Sequence, residues 1–205
     1  MKQTLLCFLF STICSTLFSQ FSKNTKMAGS NFSFHHSRNK QDSIFSGGVD
    51  LQIGKSISTN LFAGITMNAY GPIKKSLTGS SQFGGGLFLR KYFPIGKSFY
   101  IFANSNLSYQ KSVNKVYPHN FQSIETLHNH AISLGLHPGL SYQINKTILI
   151  ELAFNKVFYA GYNQNQWIYT TPLASGISTR KSFQVRSNLS LSDFLNPTLG
   201  FRIIF

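Results

Sequence analysis

The sequence predicts an all-β chain folded as an antiparallel, eight-stranded, transmembrane up-and-down β-barrel. Three observations predict it. Apolar and polar residues alternate with a period of two along eight segments. Each segment is close to the roughly 9–11 residues that a tilted membrane strand needs. The composition is poor in charge, at 12%, and rich in aromatics, at 15%; ordinary soluble domains carry about 25% charged residues. Mean hydropathy is nevertheless close to zero, as expected of strands that alternate apolar and polar rather than of apolar helices.

The strands follow in order. A weaker alternation occupies 27–37. In 44–53, Phe45, Val49, Leu51 and Ile53 oppose Ser46, Gly48, Asp50 and Gln52. In 60–70, Leu61, Ala63, Ile65, Met67 and Ala69 oppose Gly64, Thr66 and Asn68. A weaker version fills 82–93, where Gly84, Gly85 and Gly86 suit close backbone approach. In 98–109, Phe99, Ile101, Ala103, Leu107 and Tyr109 oppose Tyr100, Asn104, Asn106 and Ser108. In 131–144, Ile132, Leu134, Leu136, Leu140, Tyr142 and Ile144 oppose small residues and His137. In 147–158, Ile148, Ile150, Leu152 and Phe154 oppose Glu151, Ala153 and Asn155. Segment 182–205 is too long for one crossing, so 195–205 is read as the crossing, after a kink near Asp193–Pro197.

A closed barrel is expected over an open sheet because lipid offers no partner to edge N–H and C=O groups. The apolar faces then look outward and the small polar faces line a narrow lumen. Short connections at 54–59, 94–97 and 145–146 alternate with longer ones near 38–43, 71–81, 110–127 and 161–181. Short turns on one side and longer loops on the other are the outer-membrane arrangement, with the short set periplasmic. Aromatics near strand ends (Tyr70, Tyr92, Phe93, Phe99, Tyr109, Tyr142, Phe158 and Tyr159) are expected to form girdles.

Residues 1–19 read as a signal peptide. Lys2 is the basic start, an apolar run opens at Leu5 and weakens to Phe18, and Ser19 precedes Gln20, where cleavage is expected. Residues 26–205 form the barrel domain. Both cysteines, Cys7 and Cys14, lie in the targeting segment, so no disulfide or cysteine metal site is expected in the mature chain. The formal charge is +14, from 19 basic residues against 5 acidic ones. The basic residues are scattered, with no run longer than Lys74-Lys75. Beside an export signal, this points to anionic lipid headgroups rather than nucleic acid.

Several stretches together resemble the outer-membrane β-barrel domain of Bacteroidota-type bacteria, akin to the eight-stranded OmpA and OmpX barrels. They are Phe83–Pro94 (FGGGLFLRKYFP) with Ile95-Gly96, Phe99–Phe102 (FYIF), Leu134–Tyr142 (LGLHPGLSY), Ile150–Phe154 (IELAF) and the end Leu199–Phe205 (LGFRIIF). The resemblance implies an outer-membrane location, and biogenesis by a barrel-assembly machinery that reads the terminal strand. Phe201, Ile203 and Phe205 are that assembly signal. The family has aromatics before its final Phe, and here Ile203 and Ile204 stand there.

The reading that follows is a non-enzymatic, monomeric barrel with a structural or surface-interaction role, needing no cofactor. A narrow pore for ions or small solutes is the second reading. A lipid A-modifying enzyme is the third. It rests on His35-His36-Ser37, which invites comparison with lipid A deacylases but has no acid placed to complete a triad on the lipid-facing wall. Gly54-Lys55-Ser56 and Gly96-Lys97-Ser98 lack the upstream glycine of a phosphate loop and read as two similar turns. His128 and His130 share a strand face without a carboxylate to complete a metal site. Arg180, Lys181 and Arg186, with Arg38, Lys40, Lys74, Lys75, Lys111 and Lys115, outnumber Asp42, Glu125 and Asp193 on the loop side. They form a basic outer rim suited to lipopolysaccharide phosphates. Asp50 and Glu151 are the acids placed within spanning segments, on the same face as Arg90 and Arg202. These four are expected to pair into a plug across the lumen.

Overall fold

The computed structural model describes residues 20–38, 43–72, 79–116, 124–154, 156–170, 175–187 and 198–205. They form ten strands: β1 (Lys26–Arg38), β2 (Ser43–Ser58), β3 (Leu61–Pro72), β4 (Gly79–Pro94), β5 (Phe99–Val116), β6 (Ile124–Gln143), β7 (Ile148–Ala153), β8 (Phe158–Thr170), β9 (Ser175–Ser187) and β10 (Thr198–Ile204). All pairings are antiparallel, and β10 returns to β1, so the sheet closes. β7 and β8 both lie along β6, one above the other. β10 pairs with β7, and β9 with β8. They are therefore the lower and upper halves of a seventh and an eighth barrel strand, and the fold is a closed eight-stranded barrel.

The interruption in the seventh strand is a bulge. Gly139 faces Ala153 and Leu136 faces Phe158, so two extra residues are inserted on the β7–β8 side. Phe154 N–H donates to Pro138 O at 2.9 Å and Val157 N–H to Leu136 O at 2.9 Å, which holds the ladder on either side. Two extra residues leave the side-chain parity unchanged, so the outward set continues from Leu152 to Phe158.

Closure tilts the strands. Followed from strand to strand, the outward position Ala160 leads through Leu134, Leu107, Leu87, Ile65, Ile53, Ala28 and Ile203 to Ile148. That is twelve residues lower on the same barrel strand. This stagger is what a closed sheet requires. Gly86 permits one close approach, because a Cβ there would overlap the Leu107 carbonyl oxygen.

The alternation expected from sequence sets the two faces. Leu51, Ile53, Ile65, Met67, Leu87, Ile101, Leu107, Leu134 and Ile150 are exposed on the outer face. Ser56, Gln52, Thr66, Asn104, Ser108, Ser133 and Ser141 are buried within. The lumen is not polar throughout. At the end of the short turns it is filled by Phe21, Met27, Phe62, Phe88, Tyr92, Tyr100, Phe102, Leu149 and Ile204.

Phe21, just before the first strand, is drawn into this base. Its ring lies 5.2 Å from Tyr100, 5.3 Å from Tyr92 and 5.6 Å from Phe62. Asn60, in the left-handed region at φ 58° in the β2–β3 turn, holds the segment. Its Oδ1 accepts from Phe21 N–H at 2.7 Å and its own N–H donates to Phe21 O at 3.1 Å. Asn is among the residues that tolerate this conformation.

Several expectations are corrected. The loop-side hairpins are longer than the alternation showed: β5 runs to Val116, β6 starts at Ile124, β8 reaches Thr170 and β9 starts at Ser175. Much of the expected loops at 110–127 and 161–181 is therefore strand, because backbone pairing continues where the apolar face has ended. Gly54-Lys55-Ser56 lies within β2, paired to both neighbours, whereas Gly96-Lys97-Ser98 is in a turn. Of the expected girdle, Phe93, Phe99, Tyr109, Tyr142 and Phe158 are exposed on the outer face, and the Phe99 and Tyr142 rings lie 4.7 Å apart, tilted by 46°. Tyr70, Tyr92 and Tyr159 have the opposite parity and belong to the inner face. The expected targeting segment 1–19, together with Lys40, Asp42, Lys74, Lys75 and Asp193–Pro197, lies outside the described residues.

The seam between β1 and β10 is short, from Met27 opposite Ile204 to Phe32 opposite Leu199. Phe205 extends it. Its N–H donates to Lys26 O at 3.0 Å, and its carbonyl accepts from Lys26 N–H at 2.7 Å. Deleting Phe205 is expected to lower the heat-modifiable folded band on a gel. Two ladder hydrogen bonds at roughly 0.5–1.5 kcal/mol each go with it, as does an outward aromatic. An unchanged folded fraction in cells contradicts this.

Candidate functional site

The lumen holds a charged cluster directly above its aromatic base. Glu151 on β7 projects between Arg90 of β4 and Arg202 of β10. Glu151 Oε2 lies 2.8 Å from Arg90 Nη1 and 3.2 Å from Arg202 Nη2. Tyr92 donates its hydroxyl to Glu151 Oε1 at 2.5 Å. All three charged side chains are buried, at 1% exposure or less.

Neutral partners complete the set. Gln52 Oε1 accepts from Arg90 Nη2 at 2.9 Å and from Arg202 Nη2 at 3.2 Å. Arg90 Nε donates to Asn104 Oδ1 at 3.2 Å, and the guanidinium lies 4.7 Å from the centre of the Phe102 ring. Arg202 donates to Asn31 Oδ1 at 2.7 Å and to the Ser30 carbonyl at 2.8 Å. Gly29 makes room for it, since a Cβ there would overlap Arg202 Cδ and the Phe201 carbonyl. The buried carboxylate is held by two guanidinium groups and a hydroxyl, while Arg202 Nε is left without a hydrogen-bond partner among the described residues; such a cluster sets the conformation of its members.

The structure thus brings together three of the four residues expected to form the plug. The pairing of Asp50 is corrected. Asp50 accepts from Thr66 Oγ1 at 3.0 Å and from Asn31 Nδ2 at 3.3 Å; the ion pairs described involve Glu151 instead. Two physical reasons apply. Gln52, one inward step nearer the base on β2, takes the guanidinium groups on that wall. The shorter aspartate finds neutral donors on its two flanking strands. Tyr92 and Gln52 were not singled out in the sequence. Tyr92 read as a girdle aromatic, and its parity with Arg90, two residues earlier, was the available signal.

The remaining candidates are dispersed. Phe201, Ile203 and Phe205 share the outer face of the last strand and are exposed. Arg180, Lys181 and Arg186 are exposed on β9 but do not share one surface. Arg180 and Arg186 pair with Asn165 and Tyr159, on the lumen side, and Lys181 pairs with Gln164, on the outer side. His130 lies on the outer face, its Nδ1 2.6 Å from the Tyr109 hydroxyl. His35 and Ser37 occupy β1 positions opposite Ser46 and Ile44; their side chains lie outside the described residues.

Replacing Glu151 with Gln leaves two buried guanidinium groups without countercharge. Removing one partner of a buried pair typically costs about 3–5 kcal/mol. Glu151→Gln and Arg202→Gln are each expected to lower stability to urea in detergent micelles. The double variant should lose less than the sum, with a coupling on the order of 1–3 kcal/mol. A coupling indistinguishable from zero contradicts the pairing.

Two solved structures are similar to this chain. Neisserial surface protein A matches at 13% sequence identity and a TM-score of 0.48, over 91% of this chain and 99% of that one. The N-terminal β-barrel domain of Pseudomonas aeruginosa OprF matches at 10% identity and a TM-score of 0.46, over 90% of this chain and 98% of that one. No protein-family model matches the chain, and no curated protein matches it.

Proposed function

We propose that this protein is a non-enzymatic, monomeric barrel of the bacterial outer membrane, closed through its lumen, with a structural or surface-interaction role carried by its loop end. The observation that carries this reading is the combination of an apolar outer wall with a plugged interior. On β5 and β6 the outward apolar set begins at Phe99 and Tyr142 and ends at Tyr109 and Ile132, above which Lys111 and His130 follow. Ten steps of a tilted strand give a band about 25 Å tall, the height of an outer-membrane barrel's apolar belt. Inside, the cluster of Glu151, Arg90 and Arg202 lies over the rings of Phe21, Phe62, Tyr92, Tyr100 and Phe102. Fixed charges of both signs over an apolar floor oppose the passage of ions and of polar solutes.

The Bacteroidota-type barrel domain is the family we propose, on the stretches Phe83–Pro94 and Leu199–Phe205. Residues 1–19 are proposed to be an export signal, with the short turns on the periplasmic side as in outer-membrane barrels. The terminal strand would be read by the barrel-assembly machinery.

Planar-bilayer recording of the purified protein tests the closed lumen. No resolved conductance steps are expected. Regular steps would overturn this reading in favour of a pore. Of the basic rim Arg180, Lys181 and Arg186, proposed to meet lipopolysaccharide phosphates, Lys181 faces outward and the two arginines lie on the lumen side of β9. Changing all three to Gln is expected to weaken binding to lipopolysaccharide vesicles at low salt, where such contacts are least screened. Unchanged binding would leave the rim merely solvated.

A further inference from the structure

Above the Glu151 cluster the lumen widens into a polar chamber of about 330 Å³. Its floor includes Arg90, Gln52 and Phe102, and its walls include Asp50, Asn106, His137 and Lys156. One wall is unlike the other. On the β2 side, Asp50 is satisfied by Thr66 and Asn31. On the side of β5, β6 and the bulge, the side chains of Asn106, His137 and Lys156 converge on Gly135; His137 is hydrogen-bonded to the Phe154 backbone, and its Nε2 and the Asn106 Oδ1 are left over.

The convergence is measured by the missing side chain. A Cβ on Gly135 would lie 2.8 Å from Asn106 Oδ1, 3.2 Å from Lys156 Cδ and 3.3 Å from His137 Nε2. Gly135 is therefore the backbone over which these three side chains meet. Asn106 Oδ1 and His137 Nε2 are buried and have no hydrogen-bond partner among the described residues. Lys156 has no ion pair among them; its ammonium lies 5.0 Å from the Tyr159 ring centre.

The bulge between β7 and β8 explains how a lysine reaches this place. Lys156 belongs to the two-residue insertion, which the ladder leaves unpaired, and it lines the chamber rather than facing out. Charge gives the sign of what it would hold. The chamber lining and the cluster beneath it carry three cations, Arg90, Arg202 and Lys156, against two carboxylates, Asp50 and Glu151. Glu151 is taken by the two arginines, and Asp50 is held by neutral donors on the other wall. The positive excess is left at Lys156.

We propose that Lys156, His137 and Asn106 form a binding site for a small oxyanion, a carboxylate or a phosphate group, that enters from the loop end and stops at the Glu151 cluster. Lys156 supplies the charge and up to three donors. The Asn106 amide supplies a donor or an acceptor, depending on how it is turned. His137, hydrogen-bonded to the Phe154 backbone, leaves its Nε2 to accept from the hydroxyl of a hydrogen phosphate group, a donor that a carboxylate lacks. Gly135 lets the three side chains close over it, and the chamber beside them is the space that the ligand's oxygens occupy. The inference goes beyond the closed barrel proposed above and fails separately from it, since conductance tests the plug and not this wall.

The test is a titration of the full-length mature barrel in a glucoside detergent that carries no phosphate, followed by amide resonances in NMR. Inorganic phosphate and acetate are the two probes, each balanced with chloride to constant ionic strength. Saturable shifts are expected at Gly135, His137 and Lys156 with at least one probe, and the probe that saturates at lower concentration identifies the phosphate or the carboxylate class. Lys156→Gln is expected to weaken that binding roughly tenfold or more, as expected for the loss of one charge-assisted hydrogen bond. Lys156→Arg should retain it. The heat-modifiable band shows that each variant is folded; were Lys156→Gln unfolded, His137→Gln read in the same way takes its place. Shifts that never saturate, shifts confined to Arg180–Arg186, or equal affinity in the folded Lys156→Gln variant would overturn the site.

Discussion

Every feature of the lumen depends on the ladder between β1 and β10. It is the one junction that joins the end of the chain to its beginning, and it turns a sheet with two edges into a wall with none at that level. Unpaired peptide groups are costly wherever water is absent, so the pairing of Met27 with Ile204 through Phe32 with Leu199 is a condition for the rest. Closure also imposes tilt. The stagger that carries Ala160 down to Ile148 in one circuit lets Glu151 on the seventh barrel strand lie level with Arg90 on the fourth. The two are joined across the barrel by 2.8 Å.

That ion pair is better understood as a specifier than as a source of stability. Taking charges out of water is costly, and a buried pair often only recovers what its desolvation costs. Here Glu151 is met by two guanidinium groups and the Tyr92 hydroxyl, and Gln52 bridges both arginines. The cluster spans β2, β4, β7 and β10, so a slip of register in any of them breaks it. A one-residue slip would also turn each side chain to the other face. Below it, the packing of Phe21 against Phe62, Tyr92 and Tyr100 supplies the apolar burial that the narrow polar lumen otherwise lacks.

The barrel was legible because its signal repeats. Period-two alternation gives the faces of β2, β3, β5, β6 and β7 residue by residue, and Glu151, Arg90 and Arg202 were assigned to the lumen on that ground alone. What was not legible belongs to interactions that alternation does not encode. Above the apolar belt the alternation weakens, so 161–181 reads as loop although the backbones of β8 and β9 pair from Phe158–Ser187 to Thr170–Ser175. Asp50 and Glu151 look equivalent in sequence. Their different partners depend on tilt and on side-chain length, neither of which one strand's pattern carries. Phe21 precedes the first strand, outside any periodicity.

Lys156 shows why bulges matter most here. A regular strand offers a choice of two faces, and evenly numbered positions of β7 and β8 belong to the outer one: Ile150, Leu152, Phe158 and Ala160. By parity alone Lys156 would point at the apolar surroundings, where a lysine is costly. The two-residue insertion removes it from the ladder and lets it line the chamber with His137 and Asn106, while leaving the parity of the strand above intact. The insertion therefore changes the charge of the interior without disturbing the outer wall. Lys156 between Phe154 and Phe158 is the trace that the bulge leaves in the sequence. It is a charged residue on the apolar side of a continuing alternation, a local contradiction that resolves only when the ladder is allowed to skip.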